Sequence, residues 1–175
     1  MKVKVTPSKV HGNVKIPASK SMAHRALICA SLSDGTSLVS NVTNSKDIEA
    51  TVGCMKALGA IIKQIDETTY EVTGTNLFKQ EGSITCNANE SGSTLRFLIP
   101  LAACTNAKVK FLGQGRLLQR PMDVYANEFK KQNIEFNQSD KEIIVSGNLQ
   151  AKDYVVQGDI SSQFITGFMF VLPLL

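Results

Sequence analysis

MKALGAIIKQIDETTYEVTGTNL, at residues 55–77, and FKKQNIEFNQSDKEIIVSGNL, at residues 129–149, follow the same pattern. Each reads as a helix end, a Gly or Asn that stops the helix (Gly59 or Asn133), a strand, a polar turn, and a second strand closing on V-T-G or V-S-G. The closing glycines, Gly74 and Gly147, are 73 positions apart (147 − 74). We interpret the two stretches as equivalent hairpins of a repeated unit.

Upstream of each hairpin the apolar spacing and the capping residues predict the same order of elements. The predicted elements are a helix over 21–33, a strand over 36–40 and a helix capped by Ser45 in the first copy; a strand over 84–87, a helix over 92–104, a strand over 109–112 and a helix from Pro121 to Lys131 in the second; and a strand over 154–157 and a helix over 161–172 in a third.

These elements predict an α/β fold of repeated βαβαββ units that form one inside-out α/β barrel-like globe, with helices inside and sheets outside. Unit one spans residues 17–80, unit two 81–150, and unit three, at 151–175, is incomplete. The last twelve residues, FITGFMFVLPLL, are strongly apolar and need a surface to pack against, so we expect the third unit to be truncated. A helix docked at the edge of a finished domain is the alternative.

The composition excludes several classes of function. Nineteen Lys and Arg against fifteen Asp and Glu give a net charge of +4, and no basic run with interleaved aromatic residues suggests nucleic-acid binding. The start of the chain lacks a signal-peptide core, and twelve apolar residues are too few to span a bilayer. We therefore expect no membrane association. The four cysteines form no CxxC pair, so we expect no metal site, and reduced thiols indicate a cytoplasmic protein.

Three predicted helices begin with small hydroxyl residues: PASKS at 17–21, NESGST at 89–94 and DISSQ at 159–163. Unpaired backbone N–H groups at such starts favour anions, and Gly92 lets a ligand approach the backbone. One such start is usually only a capped helix, but three at equivalent places in a repeat favour convergence on one anion-binding surface. The arginines and the lysine near these starts support this interpretation: Lys20, Arg25, Arg96, Arg116 and Arg120.

The common nucleotide and nucleophile motifs are absent. Ser19 stands where a P-loop needs the glycine before Lys20, and the chain contains neither GxGxxG nor a nucleophile elbow. His24 is interpreted as a helix residue satisfied by its surroundings rather than as a catalytic base. No cofactor is predicted.

Four segments then resemble a known family in order along nearly the whole chain. PASKSMAHRAL (17–27), NESGSTLRF (89–97), GQGRLLQRPM (113–122) and DISSQF (159–164) resemble the conserved segments of enolpyruvylshikimate-phosphate synthases. Glu90 and Phe97 depart from the commoner pattern, which has Asn and Pro at these positions. The resemblance implies transfer of the enolpyruvyl group from phosphoenolpyruvate to shikimate 3-phosphate in aromatic amino-acid biosynthesis, without a cofactor.

The same resemblance implies roles for individual residues. Lys20 and Gln163 correspond to catalytic positions, and the role of Asp47 stays open. The residues that it implies for shikimate phosphate are Lys20, Ser21, Arg25, Ser161, Ser162 and Gln163. Those that it implies for phosphoenolpyruvate are Lys20, Gly92, Arg120 and Gln163.

Family members carry a second, similar globe, which supplies the base and further cationic residues. The resemblance therefore implies that strands within residues 1–16 pair with that C-terminal half, and that this chain alone is inactive. Two alternatives stay open: a UDP-N-acetylglucosamine enolpyruvyl transferase, whose opening has Lys-Asn in place of Lys20-Ser21, and a non-catalytic anion-binding fragment.

Overall fold

The fold was obtained as a computed structural model that describes residues 2–9, 11–14 and 16–175. This described part contains five α-helices and seven strands. In chain order they are α1 Lys20–Leu32, β1 Thr36–Val39, α2 Lys46–Ala57, β2 Ile61–Gln64, β3 Tyr70–Thr73, β4 Glu81–Asn87, α3 Gly92–Ala102, β5 Asn106–Leu112, α4 Asp123–Lys130, β6 Glu135–Gln138, β7 Ile143–Ser146 and α5 Ser162–Val171. Short 3₁₀ turns cover Leu77–Lys79, Leu117–Gln119 and Leu172–Leu174.

The two sheets confirm the internal repeat. One has the order β1-β3-β2, and the other has the order β4-β5-β7-β6. Strands β1, β3 and β2 pair antiparallel, as do β5, β7 and β6, while β4 adds a parallel strand beside β5. Gly59 (φ +102°) and Asn133 (φ +56°) are both left-handed at the helix ends before the hairpins, as predicted. The first unit thus lacks only an equivalent of β4 among the described residues.

Helix α3 lies at the centre of the core. Apart from Ser93 and Arg96 its residues are buried, including Leu95, Leu98 and Ile99 at 0% exposure. A helix that is apolar all round is stable only when other elements surround it, and here the other helices and the sheets do so. The predicted α/β class with helices inside is therefore confirmed, although the described residues form no closed barrel.

The helix predicted from Pro121 to Lys131 begins two residues later, at Asp123. The residue before a proline is pushed into extended backbone, and Arg120 indeed has φ −69° and ψ 136°. Met122 is also non-helical and precedes the first turn, where Asp123 places a negative charge at the helix start. The prediction of proline at the first helical position was wrong.

The strand predicted over 154–157 is also absent. A strand needs a neighbour for its backbone hydrogen bonds, and neither sheet of the described chain extends to this segment. Tyr154 instead packs against Phe168 of α5, with ring centres 5.0 Å apart, and its hydroxyl donates to the Gln150 carbonyl at 2.6 Å.

The described residues of 2–16 are exposed and contain no strand, while Met1, Val10 and Lys15 lie outside the described residues. Pairing of this segment with a second globe stays a prediction, as do the boundaries of the three units. Within the described ranges no helix has the length and apolarity needed to cross a bilayer.

Candidate anion-binding site

The three predicted helix starts are all capped by serine side chains. Ser19, Ser91 and Ser161 accept hydrogen bonds from backbone N–H groups of α1, α3 and α5, at 3.3, 3.2 and 3.3 Å. Each cap satisfies one N–H group and leaves others of the first turn unpaired within the helix. These starts therefore combine backbone donors that have no partner within the helix with the positive end of a helix dipole.

Two guanidinium groups meet at the start of α3. A Cβ atom built on Gly92 lies 2.3 Å from Nη1 of Arg120 and 3.3 Å from Nη1 of Arg96. Glycine is thus required here because the Arg120 guanidinium occupies the space that a side chain would fill. From the sequence alone, the same glycine is explained by the approach of a ligand to the backbone. Gln138 donates to the Leu118 and Arg120 carbonyls, at 2.6 and 2.9 Å, and holds the loop that carries Arg120.

Gln163 joins this cluster from α5. Its Oε1 accepts from Arg96 Nη1 at 2.9 Å, and its Nε2 donates to Ser93 Oγ at 2.9 Å. The predicted residues Gly92, Arg120 and Gln163 are therefore brought together, and Arg96 is the side chain that connects them.

Lys20 forms a second part of the site, at the starts of α1 and α2. Its Nζ lies 2.5 Å from Asp47 Oδ2, with side chains 54% and 31% exposed. A pair this exposed contributes at most about 1 kcal/mol, so Lys20 exchanges this partner readily. Asp47, whose role the sequence left open, is therefore the counter-ion of Lys20.

Arg25 connects α1 with the other two helices. Its Nη1 donates to the Ser21 carbonyl at 2.8 Å, its guanidinium carbon lies 5.0 Å from the centre of the Phe97 ring, and a long contact of 3.5 Å reaches Thr166 Oγ1 of α5. Phe97, a departure from the commoner family pattern, thus supports the cation in this chain. The side chains of Ser21 and Ser162 are exposed at the starts of α1 and α5.

The arginines of the site are not neutralised by carboxylates. All five ion pairs found within residues 2–9, 11–14 and 16–175 use a lysine, and none uses Arg25, Arg96 or Arg120. Burial, and secondarily the nearby Arg120 charge, lower the pKa of Arg96 from its ordinary value. Guanidinium groups without a carboxylate partner attract anions, phosphate and carboxylate above all.

Glu90 lies outside this cluster. Its carboxylate faces the backbone of Gly115, and it lines a cleft of about 500 Å³ beside the start of α2. The full lining of that cleft is Lys46, Asp47, Glu49, Asn89, Glu90 and Gln114. Three carboxylates make this cleft unsuitable for an anion, so it is distinct from the arginine cluster.

His24 belongs to a buried chain of polar groups that the sequence did not reveal. Its Nδ1 lies 2.7 Å from Thr51 Oγ1, which lies 2.7 Å from Thr94 Oγ1, and Thr94 donates to Ser91 Oγ at 2.7 Å. Burial lowers the pKa of His24 from 6.5 to about 4, with smaller contributions from nearby charges. The imidazole is therefore neutral and ties α1 to α2 and α3, as a structural residue.

Fold and site together define an α/β protein of repeated units that carries arginines without carboxylate partners, among the described residues, beside serine-capped helix starts. The sequence model of EPSP synthase (3-phosphoshikimate 1-carboxyvinyltransferase) matches residues 4–175, and the chain belongs to this family.

Individual relatives support the same assignment. The chain is 47% identical over 176 residues to the 3-phosphoshikimate 1-carboxyvinyltransferase of Clostridium perfringens (strain SM101 / Type A), covering 99% of this chain and 41% of that protein. It is 46% identical over 186 residues to the enzyme of that name from Clostridioides difficile (strain 630), covering 99% and 42%. The chain thus spans about two fifths of the length of the curated relatives that it matches.

The fold has a counterpart among solved structures. An EPSP synthase from Acinetobacter baumannii superposes with a TM-score of 0.77 at 19% identity, over 91% of this chain and 38% of that one. At this identity the likeness concerns the fold alone, and it supports the predicted arrangement of repeated α/β units.

Proposed function

We propose that this chain is the part of an enolpyruvyl transferase that binds shikimate 3-phosphate and phosphoenolpyruvate in aromatic amino-acid biosynthesis. The observation that carries the proposal is the meeting of Arg96 and Arg120 at the serine-capped start of α3, in a chain of the EPSP synthase family. Among the described residues, no carboxylate pairs with these two arginines or with Arg25. Both substrates bear a phosphate and a carboxylate, which are the groups that such a surface binds.

In the proposed reaction the hydroxyl of shikimate 3-phosphate attacks the vinyl carbon of phosphoenolpyruvate. A proton adds to the methylene carbon to give a tetrahedral intermediate, which then loses a proton from the new methyl group and expels phosphate, so that the vinyl group is restored. Arg120 binds the phosphate of phosphoenolpyruvate beside Gly92. Lys20 exchanges Asp47 for substrate oxygens where the two substrates meet, and Gln163 donates to the intermediate.

The second substrate has its own set of residues. Ser161 and Ser162 hold the phosphate of shikimate 3-phosphate at the start of α5, while Ser21 and Arg25 hold the rest of the molecule, Arg25 through the carboxylate. The base that accepts the hydroxyl proton is not among these residues. We assign it to the part of the relatives' sequences that this chain does not cover. We place the reaction in the cytoplasm, because the four cysteines are free thiols.

The test is an NMR titration of the ¹⁵N-labelled chain with shikimate 3-phosphate. We expect saturable shifts at the backbone amides of α1 and α5, and no steady release of phosphate when both substrates are present. A folded chain that shows no shifts up to about millimolar ligand refutes the proposal. A Kd of about 1 mM corresponds to a binding free energy of only about 4 kcal/mol, and a real half-site should reach it. Stronger binding of UDP-N-acetylglucosamine supports the alternative transferase instead.

A matched pair of variants separates binding from helix capping. Ser161→Ala and Ser45→Ala each remove a serine cap, from α5 and α2 respectively, and each costs about 1 kcal/mol of stability. Only Ser161→Ala is expected to weaken shikimate 3-phosphate binding. Equal affinities of the two variants contradict the assignment of Ser161.

A further inference from the structure

Arg96 reaches from α3 to the first turn of α5 and contacts it at two points. Its Nη1 donates to Gln163 Oε1 at 2.9 Å, and its guanidinium carbon lies 5.4 Å from the centre of the Phe164 ring, which is 1% exposed. The side chain is therefore held by a directional hydrogen bond and by a cation–π contact.

The contact determines which way the Gln163 amide faces. A guanidinium group has five N–H donors and no acceptor, so only the amide oxygen is a suitable neighbour for Arg96. The amide nitrogen then points to Ser93 Oγ, 2.9 Å away in the first turn of α3, and uses one of its two hydrogens there. The second hydrogen remains for a ligand. A flipped amide presents its oxygen to the same place and repels an anion.

Stability alone does not account for an arginine at this position. Arg96 Nε is buried and has no hydrogen-bond partner in the described residues, and the neighbouring Arg120 adds repulsion between like charges. Both features destabilise the folded chain, whereas an apolar side chain of similar length packs between α3 and α5 without them.

We propose that Arg96 is a positioning residue that holds the amide of Gln163 with its NH₂ group towards the anion at the start of α3. The inference rests on the proposed function, in which Gln163 contacts the substrates. Arg96 acts through Gln163 and orders it before the ligand arrives, so that less side-chain freedom is lost on binding.

The orientation is tested first without ligand. The side-chain ¹⁵N–¹H signals of Gln163 are assigned by their loss in Gln163→Met, and their ¹⁵N relaxation is compared with that of the exposed Gln114. We expect a rigid Gln163 amide in the wild type, a mobile one in Arg96→Met, and partial retention in Arg96→Lys, which keeps a donor. A Gln163 amide as mobile as that of Gln114, or one unchanged by Arg96→Met, overturns the proposal.

A double-mutant cycle then tests whether Arg96 acts through Gln163. Shikimate 3-phosphate affinity is measured for Arg96→Met, Gln163→Met and the double variant, after backbone spectra have shown that each is folded. We expect each single change to weaken binding about tenfold and the double change to weaken it by little more than tenfold. Losses that multiply to about a hundredfold show that Arg96 contacts the ligand independently, and they overturn the positioning role.

The two readouts distinguish the two hypotheses. If the wild-type chain binds neither shikimate 3-phosphate nor phosphoenolpyruvate, the proposed function fails, and the relaxation of the Gln163 amide still decides whether Arg96 orients it.

Discussion

Acidification from about pH 8 to about pH 5 is expected to destabilise this fold through His24. The side chain is 1% exposed, and burial lowers its pKa from 6.5 to about 4, assisted by Lys20 and Arg25 and opposed by Asp47. The unfolded chain binds the His24 proton more tightly than the folded chain does. The contribution of neutral His24 to the free energy of unfolding is therefore fully present above pH 6.5 and is lost as the pH falls towards 4. At pH 5 the difference between the two pKa values lowers the free energy of unfolding by about 2 kcal/mol relative to pH 8.

Urea unfolding followed by circular dichroism across this pH range measures the effect. The midpoint of the wild type should fall with pH, and His24→Asn, which keeps an acceptor near Thr51 but does not titrate, should show a much flatter dependence. His11→Asn is the matched control, because His11 is exposed and its replacement should preserve the slope. A wild-type midpoint that is constant from pH 8 to pH 5, or a His24→Asn chain with the wild-type slope, refutes the reasoning.

Three glycine substitutions test two features of the structure: the first two test helix packing, and the third tests ligand binding. Gly167→Ala should destabilise the chain by about 2 kcal/mol or more in urea unfolding, because the added methyl group lies 2.2 Å from the hydroxyl oxygen of the buried Tyr125. Gly53→Ala is its control, since Gly53 is exposed in α2 with open space around its Cβ position, and should stabilise by about 1 kcal/mol. Gly92→Ala displaces the Arg120 guanidinium and should weaken phosphoenolpyruvate binding about tenfold in calorimetric titration, and an unchanged affinity contradicts the role of Gly92.

Local signals were sufficient to predict most of the fold. The hairpins follow from residues that act on their own neighbourhood, such as the left-handed Gly59 and Asn133. Of the two errors, the helix start at Pro121 has a local cause in the backbone restriction before a proline, whereas the strand over 154–157 depends on a partner elsewhere. The aromatic and β-branched residues at 154–157 suit a strand, but a strand forms only beside another, and no single-sequence pattern shows whether that neighbour is present.

The site was predictable to a similar limit. The small residues and cations at the helix starts pointed to anion binding, and the structure groups Gly92, Arg120 and Gln163. The side chains that connect these residues were not predictable, because their contacts join distant parts of the chain. Arg96 and Gln163 are 67 positions apart. Such pairs are determined by the packing of α3 on α5. The apolar periodicity of the sequence shows that each helix has a buried face, but it does not show which residues of the two faces meet.

The distribution of charge connects the fold to the proposed chemistry. Lysines form all the ion pairs of the described chain, and except for the pair with the buried Glu128 these lie at the surface, where they add little stability. Arg96 and Arg120 instead converge at the positive end of α3, and no carboxylate of the described residues pairs with them, an arrangement that destabilises the folded chain. In the proposed function, an anion bound to Arg120 offsets part of the positive charge there and so relieves the repulsion between the two guanidinium groups. On that proposal binding and folding draw on the same interaction, and the repulsion between the two arginines at the start of α3 is preorganisation for a negatively charged ligand.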